Sequence, residues 1–354
     1  MPPKTKSPAA RKAASIYDVA REARVSVFTV SAVVNRKEHV TARLRERVEA
    51  AIRKLNYRPN LLARSLAKQK THTLGMIVPD IANPFFPILI RGAEDAAQKH
   101  GYNLLLCNSD DTQEKEENAL ELLLSKRVDG ILLTKVLSDL KPQVRQMMKE
   151  MKVPMVLLLR TAPTIAKDAV VADDYQGAYQ AVCHLAKCGR KRIALLGGPP
   201  KVSNGEARWN GFHDGLEASG LSLDPELIVE GDYRMESGYR AGKELFPRRP
   251  DGIYIANFLM TVGLLKAAEE LGLNCPMDFG TVSLDDYPWL DILRPKLTTI
   301  ELPKYQLGQE AVDLLLERIG GKTGAGVLKK LQPELRVRES CGWKAVVERE
   351  KGRE

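Results

Sequence analysis

Cysteine is scarce in this chain. Cys107, Cys183, Cys188, Cys275 and Cys341 are odd in number and contain no C-x-x-C pair, which argues against a disulfide frame or a zinc site. Long hydrophobic runs are missing too. Stretches such as Met155 to Leu159 fall far short of the roughly 20 residues needed to span a bilayer, so no membrane helix is expected. Residues 1–14 are basic and rich in Pro and Ala but lack the apolar segment of a secretory signal, which predicts a flexible arm on a cytoplasmic protein. The five His supply no catalytic triad or metal spacing, and Gly197-Gly198-Pro199-Pro200 fits neither a P-loop nor a dinucleotide fingerprint. With no nucleophile-base constellation in view, no enzymatic activity, cofactor or metal is expected. The stretch 344–354 has no leucine heptad and reads as a polar tail, so a dimer is expected rather than a tail-built tetramer.

What is present is a globular composition, 44% hydrophobic and 28% charged over 354 residues, enough for two or three domains. Charge is unevenly spread. Residues 1–70 hold 17 Lys/Arg against 5 Asp/Glu, a balance of +12, leaving 37 against 40, or −3, in 71–354. Such asymmetry points to a small module that meets a polyanion, followed by a larger module with another task.

Inside the basic segment, Ser15-Ile16-Tyr17-Asp18 predicts a capping box, and Ile16, Val19, Ala20 and Ala23 share one face of the helix it opens. Ser26 is a second N-cap candidate, followed by Val30, Val33 and Val34 at helical spacing. A third helix runs from about Thr41 to Leu55, with Leu44, Val48, Ala51, Ile52 and Leu55 closing a three-helix core, and Tyr57-Arg58-Pro59-Asn60 ends it. Two short helices joined by a tight turn make a helix-turn-helix unit, here residues 15–59.

The run Ile16 to Ala23, then Val25-Ser26, Thr29-Val30-Ser31, Asn35, Tyr57-Arg58-Pro59-Asn60 and Ala63-Arg64-Ser65-Leu66-Ala67, resembles the DNA-binding head of the LacI/GalR family. The resemblance implies that the second helix enters the major groove of operator DNA with Val27, Phe28 and Ala32 toward base edges. These apolar side chains match thymine methyl groups. Ser26, Thr29, Ser31 and Asn35 suit phosphates, and Tyr17 joins the DNA-contacting set. Residues 60–72 are similar to the family's hinge helix and linker. Asn60 and Arg64 are then DNA contacts, Ala63 lies at a close helix-helix contact, and Leu66 is a wedge between central base pairs. An eight-residue helix does not hold alone in water, so its folding is expected on DNA. Arg24 stands where the family commonly has Gly or Asn, so it must take a left-handed backbone or alter the turn.

From Leu74 onward, short apolar runs alternate with amphipathic stretches. The pattern predicts strands at Leu74–Val78, Asn103–Cys107, Gly130–Leu133, Pro154–Leu158, Arg192–Leu196, Leu227–Glu230, Gly252–Ile255 and Thr281–Leu284. Helices are expected near 87–100, 114–127, 174–188, 205–219, 237–246 and 261–271. This alternation gives doubly wound parallel sheets, and the length predicts two such α/β lobes behind the all-α head. Ligands of open parallel sheets sit beyond the strands' carboxyl ends. That rule selects Asp80, Phe85, Phe86, Arg160, Arg208, Asn257, Asp285 and Trp289.

Asn83-Pro84-Phe85-Phe86, Val128-Asp129-Gly130-Ile131, Ala207-Arg208 with Gly211-Phe212, and Leu284-Asp285-Asp286 before Leu297-Thr298-Thr299-Ile300 resemble the same family's effector domain, similar in fold to periplasmic sugar-binding proteins. It would cover 73–343, with one lobe from 73–171 plus 303–331 and the other from 172–302 plus 332–343. The resemblance implies pocket roles for Phe86, Arg208, Asn257 and Asp285, and extends to Asp173, Trp289 and Asp80. Where many members read Asn-Asp, this chain has Asn257-Phe258, which keeps a sugar acid or sugar phosphate open beside a neutral sugar. The implied function is a homodimeric transcriptional regulator, a repressor on a palindromic double-stranded operator, controlled by a small effector. The alternatives are a cytoplasmic solute-binding protein or an architectural DNA-binding protein without ligand control.

Overall fold

A computed structural model describes residues 14–34, 40–57, 70–136 and 139–343. The chain divides into two compact units, Met1–Thr71 and His72–Glu354.

In the first unit, α1 (Ile16–Ala23), α2 (Val27–Val34) and α3 (Ala42–Leu55) pack around Val19, Ala20, Ala23, Val30, Val33, Val48 and Ala51. The expected capping box is formed: Ser15 Oγ accepts from the Asp18 amide at 3.3 Å while Asp18 Oδ2 accepts from the Ser15 amide at 2.9 Å. Arg24 ends α1 in the left-handed region, φ 48°, ψ 51°. Arg47 on α3 steadies that turn by donating Nη2 to the carbonyls of Ala23 at 2.6 Å and Arg24 at 3.1 Å. Ser26 Oγ then accepts from the Thr29 amide at 3.1 Å and starts α2.

The second unit holds two six-stranded sheets. One contains β1 (Thr73–Val78), β2 (Asn103–Asn108), β3 (Gly130–Leu133), β4 (Met155–Leu158), β5 (Asp168–Ala172) and β11 (Leu328–Leu331), in the spatial order β11-β5-β4-β3-β1-β2, all parallel. The other contains β6 (Ile193–Gly197), β7 (Ile228–Glu230), β8 (Gly252–Ile255), β9 (Gly280–Leu284), β10 (Thr298–Glu301) and β12 (Glu334–Arg336), in the order β12-β10-β9-β8-β6-β7. Only its edge strand β12 is antiparallel. Helices α4 (Phe85–Lys99), α5 (Gln113–Ser125), α6 (Pro142–Met151), α7 (Asp174–Lys187), α8 (Ser203–Ala218), α9 (Met235–Leu245), α10 (Phe258–Glu270) and α11 (Lys304–Ile319) cover the sheets.

Four strands and two helices lie outside the sequence expectation: β5, β10, β11, β12, α6 and α11. The edge strands β11 and β12, Leu-Lys-Lys-Leu and Glu-Leu-Arg, are charged and partly exposed, as edges are where pairing with other chains must be discouraged. Among the residues of α6 only Val144 is buried, which leaves almost no apolar period to read.

The chain passes between the lobes three times, at Asp173, at Leu302-Pro303 and at Gln332-Pro333. Asp173 joins two of these passages, since its amide donates to the Leu331 carbonyl at 2.8 Å and its Oδ2 accepts from Gln332 Nε2 at 3.4 Å. In the first lobe, α11 lies against α4 with glycine on both faces. A Cβ on Gly308 would come within 2.1 Å of the Leu89 carbonyl oxygen, and one on Gly92 within 2.0 Å of that of Tyr305.

Candidate functional site

Among its described residues, the head exposes an apolar surface at the start of α2. Phe28 is 69% exposed and Val27 is half-buried beside it, so Phe28 is not a core residue. Ala32, by contrast, is only 3% exposed. Ala32 is corrected out of the expected trio, because an alanine covered this far has no surface to offer a base. Tyr17 is exposed, Ser31 is half-buried, and Ser26 and Thr29 spend part of their capacity on each other, with their hydroxyls 2.9 Å apart. Asn35, Asn60, Ala63, Arg64 and Leu66, and with them the hinge helix, lie outside the described residues.

Between the sheets of the second unit lies a cavity of about 360 Å³. Every strand from β1 to β10 delivers a lining residue from its carboxyl end: Asp80, Asp110, Thr134, Leu159, Asp174, Pro199, Asp232, Ala256, Asp285 and Leu302 in chain order. The carboxyl ends of two parallel sheets thus face one space, the geometry in which α/β folds hold ligands.

Of the sequence-selected residues, Asp80, Phe85, Phe86, Arg160, Arg208, Asn257 and Asp285 line this cavity. Phe85 and Phe86 meet edge to face with centroids 5.3 Å apart. Asp173 and Trp289 are corrections. Asp173 caps α7, accepting from the Gln176 amide at 3.1 Å, and its other bonds tie the passages between lobes. Trp289 is 46% exposed and stacked on Tyr287 at 4.6 Å, with the planes 8° apart, away from the lining. Asn257 lines the wall, but both ends of its amide are engaged: Oδ1 accepts from the Met260 amide at 2.8 Å and Nδ2 donates to the Tyr233 carbonyl at 3.1 Å.

Sequence reasoning missed Asp110, Asp111, Asp174, Asp232, Tyr233 and Arg234 in the lining. Their signal was the same position after a strand, obscured by the brevity of β7 and by the one-residue phase that separates Asp174 from Asp173. Phe258, which replaces a carboxylate of the family pattern, packs with Tyr287, Leu290 and Leu297 in a separate apolar cluster and is not part of the lining.

Both buried guanidiniums are already matched to carboxylates. Arg160 makes a bidentate pair with Asp111, Nη1 to Oδ1 2.7 Å and Nη2 to Oδ2 3.1 Å, and donates to the Lys135 carbonyl at 2.9 Å. Arg208 donates Nε to Asp174 Oδ1 at 2.8 Å and Nη1 to the Ala256 carbonyl at 3.0 Å, and lies 5.6 Å over the Tyr233 ring. Burial pushes the Asp174 carboxyl up despite Arg208. Asp285 is held in the left-handed region, φ 77°, with its carboxylate buried. Burial pushes its carboxyl up against the pull of Lys304 and Arg208. Asp285 Oδ1, Tyr233 Oη and Thr134 Oγ1 are buried without a hydrogen-bond partner, all on the cavity lining. Such atoms are costly unless a ligand or water supplies the missing partner.

Away from the cavity, His184, Cys188 and Cys341 bring their donor atoms within 4.8 Å of one another. The His184-x-x-x-Cys188 spacing was a metal-ligand signal that the sequence reading passed over.

Residues 15–60 match the family of bacterial regulatory proteins, lacI family, and residues 71–334 match the periplasmic binding proteins and sugar binding domain of LacI family. The chain belongs to the LacI family. It is 36% identical to catabolite control protein A of Priestia megaterium over 92% of its own length and 98% of that protein's. It is 34% identical to the ribose operon repressor of Escherichia coli K12, over 93% and 100%. Among solved structures, the lac repressor dimer bound to operator and the anti-inducer ONPF matches with a TM-score of 0.82 at 29% identity, covering 93% of this chain and 99% of that one. As a LacI-family member the chain is a DNA-binding transcriptional regulator, and residues 71–334 are its match to that family's sugar binding domain. No helix among the described residues is long and apolar enough to cross a membrane.

Proposed function

We propose that the protein is a cytoplasmic, homodimeric repressor whose grip on a pseudo-palindromic operator is set by a neutral, polyhydroxylated, sugar-like effector in the cavity between the lobes. The observation that carries the effector class is the charge balance of the wall. Six aspartates, Asp80, Asp110, Asp111, Asp174, Asp232 and Asp285, stand against three arginines, and the two buried arginines are engaged by Asp111 and Asp174. A sugar acid or sugar phosphate would meet carboxylates with no free buried cation. Hydroxyl groups instead find acceptors at Asp285 Oδ1 and partners at Tyr233 and Thr134, with Phe85 and Phe86 against the apolar face of a ring. The volume lies within the roughly 300–1,000 Å³ of small-molecule pockets.

On the DNA side, Phe28 and Val27 suit thymine methyl groups, Tyr17, Ser26, Thr29 and Ser31 suit the backbone, and Leu66 wedges the centre of the site. Effector and operator are then linked by one coupling energy, because a ligand that prefers one lobe arrangement binds DNA-held protein with a different affinity. The protein acts by binding and not by catalysis.

The test is selection of bound DNA from a random pool, with and without mixtures of neutral sugars, sugar acids and sugar phosphates. The expected result is a palindrome with T-rich half-sites whose recovery changes with the neutral mixture. A response confined to the acids or phosphates would sink the effector class, and selection of no common motif would sink the operator reading.

A further inference from the structure

We propose that His184, Cys188 and Cys341 form a binding site for one thiophilic d10 cation, zinc(II) or copper(I), that fastens the C-terminal segment of the second lobe to the end of α7. His184 lies in the last turn of α7 and Cys188 is its C-cap, so the i, i+4 spacing stacks both donors on one side of the helix. Cys341 comes from the far end of the chain, after β12. All three residues are buried.

The distances fit a metal's needs. Cys188 Sγ and His184 Nε2 are 3.6 Å apart, the edge of a coordination polyhedron with metal-sulfur and metal-nitrogen bonds of about 2.3 and 2.0 Å. The full set of donor atoms spans no more than 4.8 Å, so closing it on an ion takes side-chain adjustments alone. Two sulfurs and an imidazole with no oxygen ligand select a soft or borderline cation over magnesium or calcium.

The surroundings supply what ligands require. Thr298 Oγ1 donates to Cys341 Sγ at 3.2 Å, an outer contact of the kind that holds a ligating thiolate. The Trp343 ring lies 5.6 Å from the His184 ring and screens it. Arg190 donates Nη2 to the carbonyls of Pro276 at 2.8 Å and Cys341 at 3.4 Å, while its Nε is buried with no partner. With copper(I) the two thiolates would leave the site one negative charge beside that partly buried guanidinium, and with zinc(II) the site would be neutral. None of the three residues lines the effector cavity, so the site and the effector reading stand or fall separately.

The full chain, purified with reductant and dialysed against a metal buffer, is expected to carry one equivalent of zinc in one arm or of copper(I) in a second, anaerobic arm. Cobalt(II) should give sulfur-to-cobalt charge-transfer absorption in the near ultraviolet. C188S and C341S should each weaken binding by at least about 100-fold, and T298V, which keeps all three donors, by roughly tenfold. C107S, on the distant strand β2, should bind as wild type and control for handling. Where C341S proves too unstable to assay, T298V and H184Q carry the comparison. Sub-stoichiometric metal in both arms, undiminished binding in H184Q and C188S, or recovery of Cys188 and Cys341 joined as a disulfide in freshly purified protein would each overturn the site.

Discussion

Arg208 and Asp174 meet in the wall of the inter-lobe cavity with Arg208 Nη2 2.7 Å from Asp174 Oδ1, both side chains almost wholly buried. One comes from the second turn of α8 and the other opens α7, so a single ion pair joins two helices and removes a positive charge from the ligand's surroundings.

Asp174→Ala should therefore act twice. Removing one partner of a buried pair costs about 3–5 kcal/mol, seen as a lower midpoint in chemical unfolding. The freed guanidinium should also turn the cavity toward anions. Calorimetry with a neutral sugar and its uronic acid would check this, and an unchanged preference would show that Arg208 does not reach the ligand.

Asp285→Asn should separate stability from binding. Burial raises the Asp285 carboxyl above its unfolded value, so the folded state holds that proton more tightly. The stabilisation is complete below about pH 4 and is lost as pH rises through the folded value. Asparagine escapes that loss, so the variant should melt above wild type at neutral pH, with the gap closing near pH 4. Its affinity for a neutral sugar should fall roughly tenfold to a hundredfold, the worth of a hydrogen bond to a charged group.

Phe28→Ala should weaken operator binding by about tenfold, or 1.4 kcal/mol, and relax preference at the T positions of each half-site. Because the ring is 69% exposed, the unfolding free energy of the head should stay within about 0.5 kcal/mol of wild type. A matching loss on random DNA would indicate that the ring acts in general adhesion only.

Gly308→Ala should destabilise the first lobe by about 1–3 kcal/mol, since the added methyl would sit 2.1 Å from a carbonyl oxygen of α4 and backbone cannot swing aside. Gly101→Ala is a useful contrast. Its Cβ meets nothing within 4 Å, so any loss there comes from its positive φ of 74° alone.

The parallel lobes were legible because their central strands are wholly buried and therefore continuous in apolar residues, as at Gly130–Leu133. The edges β11 and β12 were not, because Leu-Lys-Lys-Leu and Glu-Leu-Arg carry charge where an apolar run would mark a strand, and the interior strands β5 and β10 were missed because Asp168 and Thr298-Thr299 interrupt or shorten their apolar runs. In the cavity, Asp80, Arg160, Asn257 and Asp285 could be found by reading the first polar residues after a strand. Asp174 could not be told from Asp173 in that way, because helix phase decides which carboxylate turns inward. Ala32 shows the converse limit: a position that a resemblance assigns to the groove is covered in this chain, and no pattern of residue types reveals that.

Three separate passages of chain join the lobes, and Asp173 laces two of them together. Straps set side by side resist twisting and sliding but leave one easy motion, the opening and shutting of the jaws. A hinge bend about those straps is thus the motion that the connection itself opposes least.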